Sequence, residues 1–313
     1  MLQRPLGKTS LMVSELSLGT WGLSGDGYGA VPETDQAAVI DRARSLGVTL
    51  YETADVYGHG AMERRLGLRF ENEPDVLIAT KVGTDRDANP PRKRFDRAYL
   101  REAFERSRER LRRNAVDVVL LHNPAKVTVE RGDATSTLAE LKSEGKIRAW
   151  GVSAGTVEVA LAALSKGAEV LSMTHHALFS EDVRSLHGDI EKSGVGLLAH
   201  SVLGHGLLCG YWSLHKVFEA GDHRADRWTG DELRRRVPQL NALRALTGAD
   251  VGTLRGAALR FVLSNRDVNS AILGPKSTLQ LDQLVREAGT SPYLSEERLA
   301  KFKARLQDLG ITS

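Results

Sequence analysis

The sequence predicts an α/β fold, a closed (β/α)8 TIM barrel with an N-terminal β-hairpin and extra C-terminal helices. Eight short apolar runs alternate with longer amphipathic segments along the 313 residues. Near-continuous apolar strands are typical of a parallel sheet covered by helices, and eight successive strand–helix units favour a closed barrel. An open doubly wound sheet is the alternative, but the first strand–helix turn, GTWGLSGDG, lacks the G-x-G-x-x-G spacing. The composition does not shift along the chain, so we expect residues 1–313 to form one barrel domain.

Each strand candidate is a short apolar run that ends in a polar or glycine-marked turn. In chain order the eight candidates are SELSLGTW, VTLYE, DVLIATKVG, VDVVLLHNP, KIRAWGVS, EVLSMTHH, VGLLAHS and VNSAILG. The fourth run stops at Pro124, which has no N–H to donate to a sheet.

The segments that follow these strands carry apolar residues at helical spacing. They are TDQAAVIDRARSLG, AMERRLGLRF, DRAYLREAFERSRERL, ATSTLAELKSEG, TVEVALAALSKG, EDVRSLHGDIEKSG, LNALRALTG, VGTLRGAALRFVLSN, TLQLDQLVREAG and SEERLAKFKARLQDLG. Thr34 and Gly47 are the predicted boundaries of the first helix, and Asp96 is the predicted cap of the third. Residues 211–236 form the longest polar connection, which we interpret as a functional loop over the barrel mouth, with a disordered segment as the alternative.

Composition and charge argue against several classes of function. Lys and Arg number 43 against 40 Asp and Glu, so the net charge is +3, without the strong basic bias of nucleic-acid binders. The one cysteine, Cys209, excludes an intrachain disulfide and fits a reducing compartment. No apolar run approaches ~20 residues, and neither a signal peptide nor a zinc-ligand spacing is present. We therefore predict a cytoplasmic monomer or small homo-oligomer with no nucleic-acid, membrane or metal partner.

Polar residues at the carboxyl ends of the predicted strands form the candidate site, because the active sites of such barrels lie at that end. The second strand ends at Glu52, and Tyr57 follows in the loop YETADVYGHG. The third strand ends at Lys81 and the fourth at His122. Four ionisable groups from three neighbouring strands thus converge on one mouth, where burying charge without a role is costly.

These four side chains suit proton donation to a carbonyl oxygen. A tyrosine titrates near ~10, and a nearby ammonium favours the phenolate, so we expect Lys81 to lower the pKa of Tyr57. His122 can orient the carbonyl through a hydrogen bond, and Glu52 can pair with Lys81. Proton transfer alone reduces nothing, so a reduction here requires a hydride-donating cofactor.

Seven segments, taken in order, resemble those of the aldo-keto reductases, NADPH-dependent oxidoreductases on a (β/α)8 barrel. The segments are RPLGKTSLMVSELSLGTWG, ETADVYGHGAMERRLG, IATKVG, VDVVLLHNP, GKIRAWGVS, GVGLLAHSVLGHGLLCG and ILGPKSTLQLDQL. The resemblance implies that Tyr57, Lys81 and His122 belong to the family's catalytic tetrad, whereas Glu52 stands where the family has Asp. It also implies NADPH-dependent reduction of an aldehyde or ketone, such as a sugar-like or natural-product carbonyl, with Tyr57 as the proton donor.

The resemblance further implies a cofactor site that contains both matches and departures. The implied cofactor-binding residues are Ser153, His200, Ser201, Leu203, Gly206, Arg224, Gly274, Lys276, Ser277 and Gln280. The departures are Ala154 for Asn, Met173 for Gln, His200 for Tyr, and Gln283 and Leu284 for Glu-Asn. The implied phosphate anchors Lys276 and Arg224 favour NADPH over NADH, because each gains a charge-assisted bond to the additional phosphate.

Three aromatic residues, Trp21, Tyr28 and Trp212, are the candidates for the substrate pocket, which would bind a small-molecule carbonyl. The departures at the cofactor site leave two alternatives open. A lyase or isomerase would use the same tyrosine, lysine and acid without turning a cofactor over. A regulatory subunit would bind the cofactor only, and the presence of three tetrad residues speaks against that alternative.

Overall fold

The structure, a computed structural model, describes residues 1–311 and contains a closed barrel of eight parallel strands. The strands are β1 (Gln3–Pro5), β2 (Met12–Ser14), β3 (Leu16–Gly19), β4 (Leu50–Glu52), β5 (Leu77–Val82), β6 (Thr84–Asp85), β7 (Arg92–Lys93), β8 (Val116–His122), β9 (Ile147–Ser153), β10 (Val170–Thr174), β11 (Gly196–His200) and β12 (Val268–Leu273). The barrel order is β3-β4-β5-β8-β9-β10-β11-β12, and β12 pairs with β3 to close it. The predicted (β/α)8 fold class is confirmed.

The predicted N-terminal hairpin, formed by β1 and β2, closes the amino end of the barrel. Leu6, Leu11 and Val13 are almost fully buried and pack in one apolar cluster with Leu50 and Leu77, the first residues of β4 and β5. Because the hairpin and this apolar cluster fill the amino end of the barrel, a ligand site in the barrel has to lie at the opposite, carboxyl end of the strands.

Helices surround the barrel, and further helices follow it as predicted. The helices are α1 (Glu33–Ser45), α2 (Ala61–Phe70), α3 (Arg97–Leu111), α4 (Lys126–Arg131), α5 (Asp133–Ser143), α6 (Val157–Ser165), α7 (Glu181–Ser185), α8 (His187–Ser193), α9 (Arg224–Arg227), α10 (Gly230–Gln239), α11 (Leu254–Ser264), α12 (Thr278–Ala288) and α13 (Glu296–Asp308), with 3₁₀ segments at Gly204–Cys209 and Leu240–Leu246. Phe302 and Leu306 of α13 pack with Leu243 of the second 3₁₀ segment in a separate apolar cluster. No helix in residues 1–311 combines the length and apolar content needed to cross a lipid bilayer.

The helix boundaries confirm one predicted cap and correct another. The side chain of Asp96 accepts a hydrogen bond from the N–H of Tyr99 at 3.0 Å, as a cap of α3 should. Thr34 does not cap α1, which begins at Glu33 after Pro32. The proline ring fixes the backbone at φ −55° just before the helix, so no side-chain cap is required for the chain to enter it.

Several elements differ from those predicted. The segment EDVRSLHGDIEKSG forms two short helices, α7 and α8, which meet at Leu186, and LNALRALTG forms 3₁₀ helix. The antiparallel β6–β7 hairpin, residues 84–93, was not predicted, because strands of two residues carry no periodicity. Within the long connection over residues 211–236, α9 and the first turns of α10 are helical.

β9 approaches β10 closely at Gly151, where an added Cβ would lie 1.7 Å from the carbonyl oxygen of Val170. We expect Gly151→Ala to lower the free energy of unfolding by about 2 kcal/mol or more, since overpacking a core typically costs ~1–3 kcal/mol and here the obstacle is backbone. Gly188→Ala in α8 is the matched control, because a Cβ there meets no atom within 4 Å. Urea denaturation compares the stability of the two variants. An unchanged midpoint for Gly151→Ala would contradict the expected loss of stability.

Candidate active site

A cleft of about 1640 Å³ lies at the carboxyl ends of the barrel strands. It is lined by Glu52, Tyr57, Lys81 and His122, the four residues predicted from the strand ends. Pockets for small ligands commonly measure roughly 300–1,000 Å³. The cleft is therefore large enough for a cofactor and a substrate together.

Lys81 joins the acid and the tyrosine at the centre of the cleft. Its Nζ contacts Oε1 of Glu52 and donates to the hydroxyl oxygen of Tyr57 at 3.0 Å and to the carbonyl oxygen of Thr53 at 2.9 Å. Lys81 and Glu52 retain only 3% and 5% of their accessible surface. The ring of His122 meets the ring of Tyr57 edge-on, with centroids 6.1 Å apart. The structure thus brings all four predicted residues together.

The phenol of Tyr57 holds its proton firmly. Burial raises the pKa of Tyr57 above its ordinary value because a phenolate would lose its hydration, and the charge of Asp55 adds to this. The net shift of the Tyr57 pKa is therefore upward, opposite to the predicted lowering, because burial dominates it. Burial also lowers the pKa of Lys81 well below its ordinary value, although contact with the Glu52 carboxylate opposes that shift.

His122 is neutral at neutral pH. Burial, together with the charges of Lys81 and Lys93, lowers the pKa of His122 well below its ordinary value. Its buried Nδ1 has no hydrogen-bond partner in the part of the chain that the structure describes. Buried polar atoms are nearly always hydrogen-bonded, so this nitrogen is suited to meeting a bound ligand.

Comparison with known protein families accounts for this fold and this cleft. The sequence model of the Aldo/keto reductase family matches residues 15–305. The chain belongs to the aldo/keto reductase family. Its members are oxidoreductases that use nicotinamide cofactors, and the match spans every barrel strand of this chain.

Similar proteins align with this aldo/keto reductase over nearly its full length. L-galactose dehydrogenase of Arabidopsis thaliana is 25% identical over 319 residues, which cover 97% of this chain and 94% of that protein. The uncharacterized oxidoreductase YqkF of Bacillus subtilis (strain 168) is 29% identical over 320 residues, which cover 99% and 98%. A solved structure of glycerol dehydrogenase from Gluconobacter oxydans superposes with a TM-score of 0.84 at 22% identity, covering 99% of this chain and 97% of the other. At that identity the likeness shows the fold alone.

Nine of the ten residues predicted to bind a cofactor line the cleft of this aldo/keto reductase. They are Ser153, His200, Ser201, Leu203, Gly206, Arg224, Gly274, Lys276 and Gln280. Ser277 is the exception, because it lies outside the cleft and its Oγ accepts a hydrogen bond from the N–H of Gln280 at 3.2 Å. Ser277 is the N-cap of α12, and its predicted contact with the cofactor stays a prediction.

The backbone after β11 curves tightly along the cleft. Ser201, Gly204, His205 and Gly206 all have positive φ, at 55°, 54°, 55° and 104°. Backbone in or near the left-handed region forms concavities whose N–H groups bind anions. This segment, which contains the implied cofactor-binding residues Ser201 and Gly206, is therefore suited to a phosphate.

An amide side chain that was not predicted lies beside Ala154, the position at which the resemblance implied an Asn. Oδ1 of Asn123 accepts a hydrogen bond from Oγ of Ser153 at 2.8 Å, and all three residues line the cleft. The sequence contains one indication of this role for Asn123, because it is a polar residue that directly follows His122 at the end of a strand. A second departure, Met173, is 2% exposed and does not line the cleft.

Two of the three predicted pocket aromatics lie near Tyr57. Trp21 stacks on Tyr57 with centroids 6.4 Å apart, and its ring meets Tyr28 edge-on at 5.1 Å. The ring of Trp212 is 5.9 Å from the guanidinium carbon of Arg224 and close to Gly206, and the ring of Tyr28 is 5.1 Å from the same carbon. All three aromatic residues line the cleft, and the assignment of Trp212 to the substrate pocket stays a prediction.

Proposed function

We propose that this aldo/keto reductase reduces an aldehyde or ketone to the alcohol with NADPH. The observation that supports this most is the arrangement around Nζ of Lys81, which contacts Glu52 and lies 3.0 Å from the Tyr57 hydroxyl. A buried tyrosine with a raised pKa carries the proton that an alcohol product needs. The similarity to L-galactose dehydrogenase, whose name specifies a sugar substrate, supports a sugar-like carbonyl.

Each side chain has one task in this proposal. The reduced nicotinamide, when bound, supplies the hydride for the carbonyl carbon. Tyr57 donates its phenolic proton to the carbonyl oxygen. Lys81 stabilises the phenolate that remains, and Glu52 holds Lys81 in place through their buried contact. The neutral ring of His122 orients the carbonyl through a hydrogen bond from a ring nitrogen.

The residues that line the cleft fit a phosphate-bearing dinucleotide. The ammonium of Lys276 contacts the backbone carbonyls of Tyr28 and Gly29, and no ion pair joins it to a carboxylate within residues 1–311. Arg224, in contrast, pairs with Asp222 through two nitrogens. Lys276 thus has more uncompensated charge to offer the additional phosphate of NADPH.

The first experiment is a titration with NADPH and then NADH, followed by tryptophan fluorescence. Trp21, Trp212 and Trp228 line the cleft, so a bound nicotinamide should quench their emission. We expect saturable NADPH binding, much weaker NADH binding, and one NADPH oxidised per carbonyl reduced. Conversion of substrate without oxidation of the nucleotide would instead favour the lyase or isomerase alternative.

Lys276→Met should weaken NADPH binding about tenfold or more and leave NADH binding nearly unchanged. The reason is that a charge-assisted hydrogen bond is worth ~1.5–3 kcal/mol, and only NADPH carries the phosphate that accepts it. Fluorescence titration with both nucleotides gives the ratio of their dissociation constants. Lys192→Met on α8, away from the cleft, is the control, and an equal loss for the two nucleotides would contradict the proposed role of Lys276.

A further inference from the structure

Cations line the cleft on the side away from the predicted phosphate anchors. The β6–β7 hairpin, here named the rim hairpin (residues 84–93), follows β5 directly, and its residues Arg86 and Lys93 line the cleft. In the barrel order, β5 and β8 lie across from β11 and β12, the strands that precede Arg224 and Lys276. A cofactor whose phosphates are held by Arg224 and Lys276 does not account for the cations of the rim hairpin.

Lys93 forms no ion pair with an acid in the described residues, and the carboxyl of Asp55 acts on its pKa only from a longer distance. Its Nζ donates to Oγ1 of Thr84 at 2.8 Å and to the backbone carbonyl oxygen of His122 at 2.7 Å. Both acceptors are neutral, and within residues 1–311 no ion pair joins Lys93 to a carboxylate. An ammonium has three donor hydrogens, so one remains for a ligand in the cleft.

Arg86 is placed differently on the same hairpin. Its Nη1 donates to the carbonyl oxygen of Val56 at 2.6 Å and lies 3.3 Å from Oδ1 of Asp26. Asp26 also accepts the N–H of Gly58 at 2.7 Å, which fixes the carboxylate beside the arginine. Arg86 is therefore largely compensated, and the surplus positive charge of this side of the cleft is concentrated at Lys93.

We propose that Lys93, with the hydroxyl of Thr84 beside it, binds an anionic group, a carboxylate or a phosphate, on the carbonyl substrate. This inference rests on the proposed reductase function and specifies its substrate class. Because Lys93 is bonded to the backbone of His122, the anion would lie beside the residue that orients the carbonyl. The fitting substrate is a short molecule with an aldehyde or ketone at one end and an anion a few bonds away.

The test compares carbonyl compounds that differ only in charge. Glyceraldehyde 3-phosphate is paired with glyceraldehyde, and succinic semialdehyde with butanal, each assayed by NADPH oxidation. We expect wild-type kcat/KM to favour the charged member of at least one pair by about tenfold or more, mainly through KM, and the preference to decline as salt is added. The pair with the larger ratio distinguishes phosphate from carboxylate.

Three variants assign that preference to Lys93. Lys93→Met should reduce the charged-to-neutral ratio about tenfold, and Lys93→Arg should retain most of it. Arg92→Met is the matched control, because Arg92 is on the same strand, has a side chain 65% exposed and does not line the cleft. It should leave the ratio unchanged.

Two results would overturn the anion site alone. The first is NADPH oxidation without preference for the charged member of either pair. The second is an equal loss of kcat/KM in Lys93→Met for charged and neutral substrates, because that result would indicate that Lys93 only supports the backbone of His122. Absence of NADPH oxidation with every carbonyl is a different result, because it would contradict the proposed reductase function itself.

Discussion

Tyr57→Phe should reduce kcat for carbonyl reduction by about 10²- to 10⁴-fold, the range that a positioned general acid contributes. The substitution removes only the hydroxyl that lies 3.0 Å from Nζ of Lys81. The neutral His122 has a strongly lowered pKa and holds no spare proton at neutral pH to replace it. Steady-state NADPH oxidation measures the loss, and fluorescence titration should show NADPH affinity changed less than about twofold.

The matched control for this variant is Tyr99→Phe. Tyr99 is also buried, but it lies on α3 and does not line the cleft. It should retain close to full turnover. If Tyr57→Phe also retained full turnover, Tyr57 would not be the proton donor, and the proposed function would lose its central residue.

Lys81→Met should both inactivate and destabilise the protein. Lys81 and Glu52 are 3% and 5% exposed and in direct contact. Removal of one partner of a buried ion pair typically costs ~3–5 kcal/mol, because the other charge remains buried and unpaired. Urea denaturation should therefore show a free energy of unfolding lower by a few kcal/mol. Activity should fall by at least about 10²-fold, because the phenolate left by Tyr57 loses its support.

A second substitution separates these two effects. In Lys81→Met/Glu52→Gln no charge remains at the pair, so we expect much of the lost stability to return while activity does not. The deficit of Lys81→Met should also diminish at acidic pH, because an unpaired buried carboxylate prefers to be protonated. A Lys81→Met protein as stable as wild type at pH 8 would show that Glu52 does not depend on Lys81 for its charge.

The local pattern of the sequence was sufficient to predict the barrel and the centre of its site. Eight apolar runs, each followed by an amphipathic segment, specify parallel strands covered by helices. Parallel strands of a barrel end at one rim, so Glu52, Lys81 and His122, each the last or nearly the last residue of its strand, had to meet there. Tyr57 joins them because its loop follows β4 directly.

Other features depended on contacts between distant parts of the chain. Asn123 meets Ser153 because β8 and β9 pair side by side with His122 opposite Ser153, and neither local segment indicates that register. Lys93 reaches the backbone of His122 only because a short hairpin folds over the rim. Trp212 lies near Arg224 through a loop whose course no periodicity indicates.

The sequence by itself thus determined which elements form and which side chains gather at the barrel mouth. The tertiary structure decided the electrostatic character of those side chains. The sequence predicted a lowered pKa for Tyr57 from one neighbouring lysine, whereas its burial in the folded protein raises that pKa. The physical reason is that hydrophobic periodicity records which face of an element is buried, whereas a pKa depends on how much water the whole fold excludes.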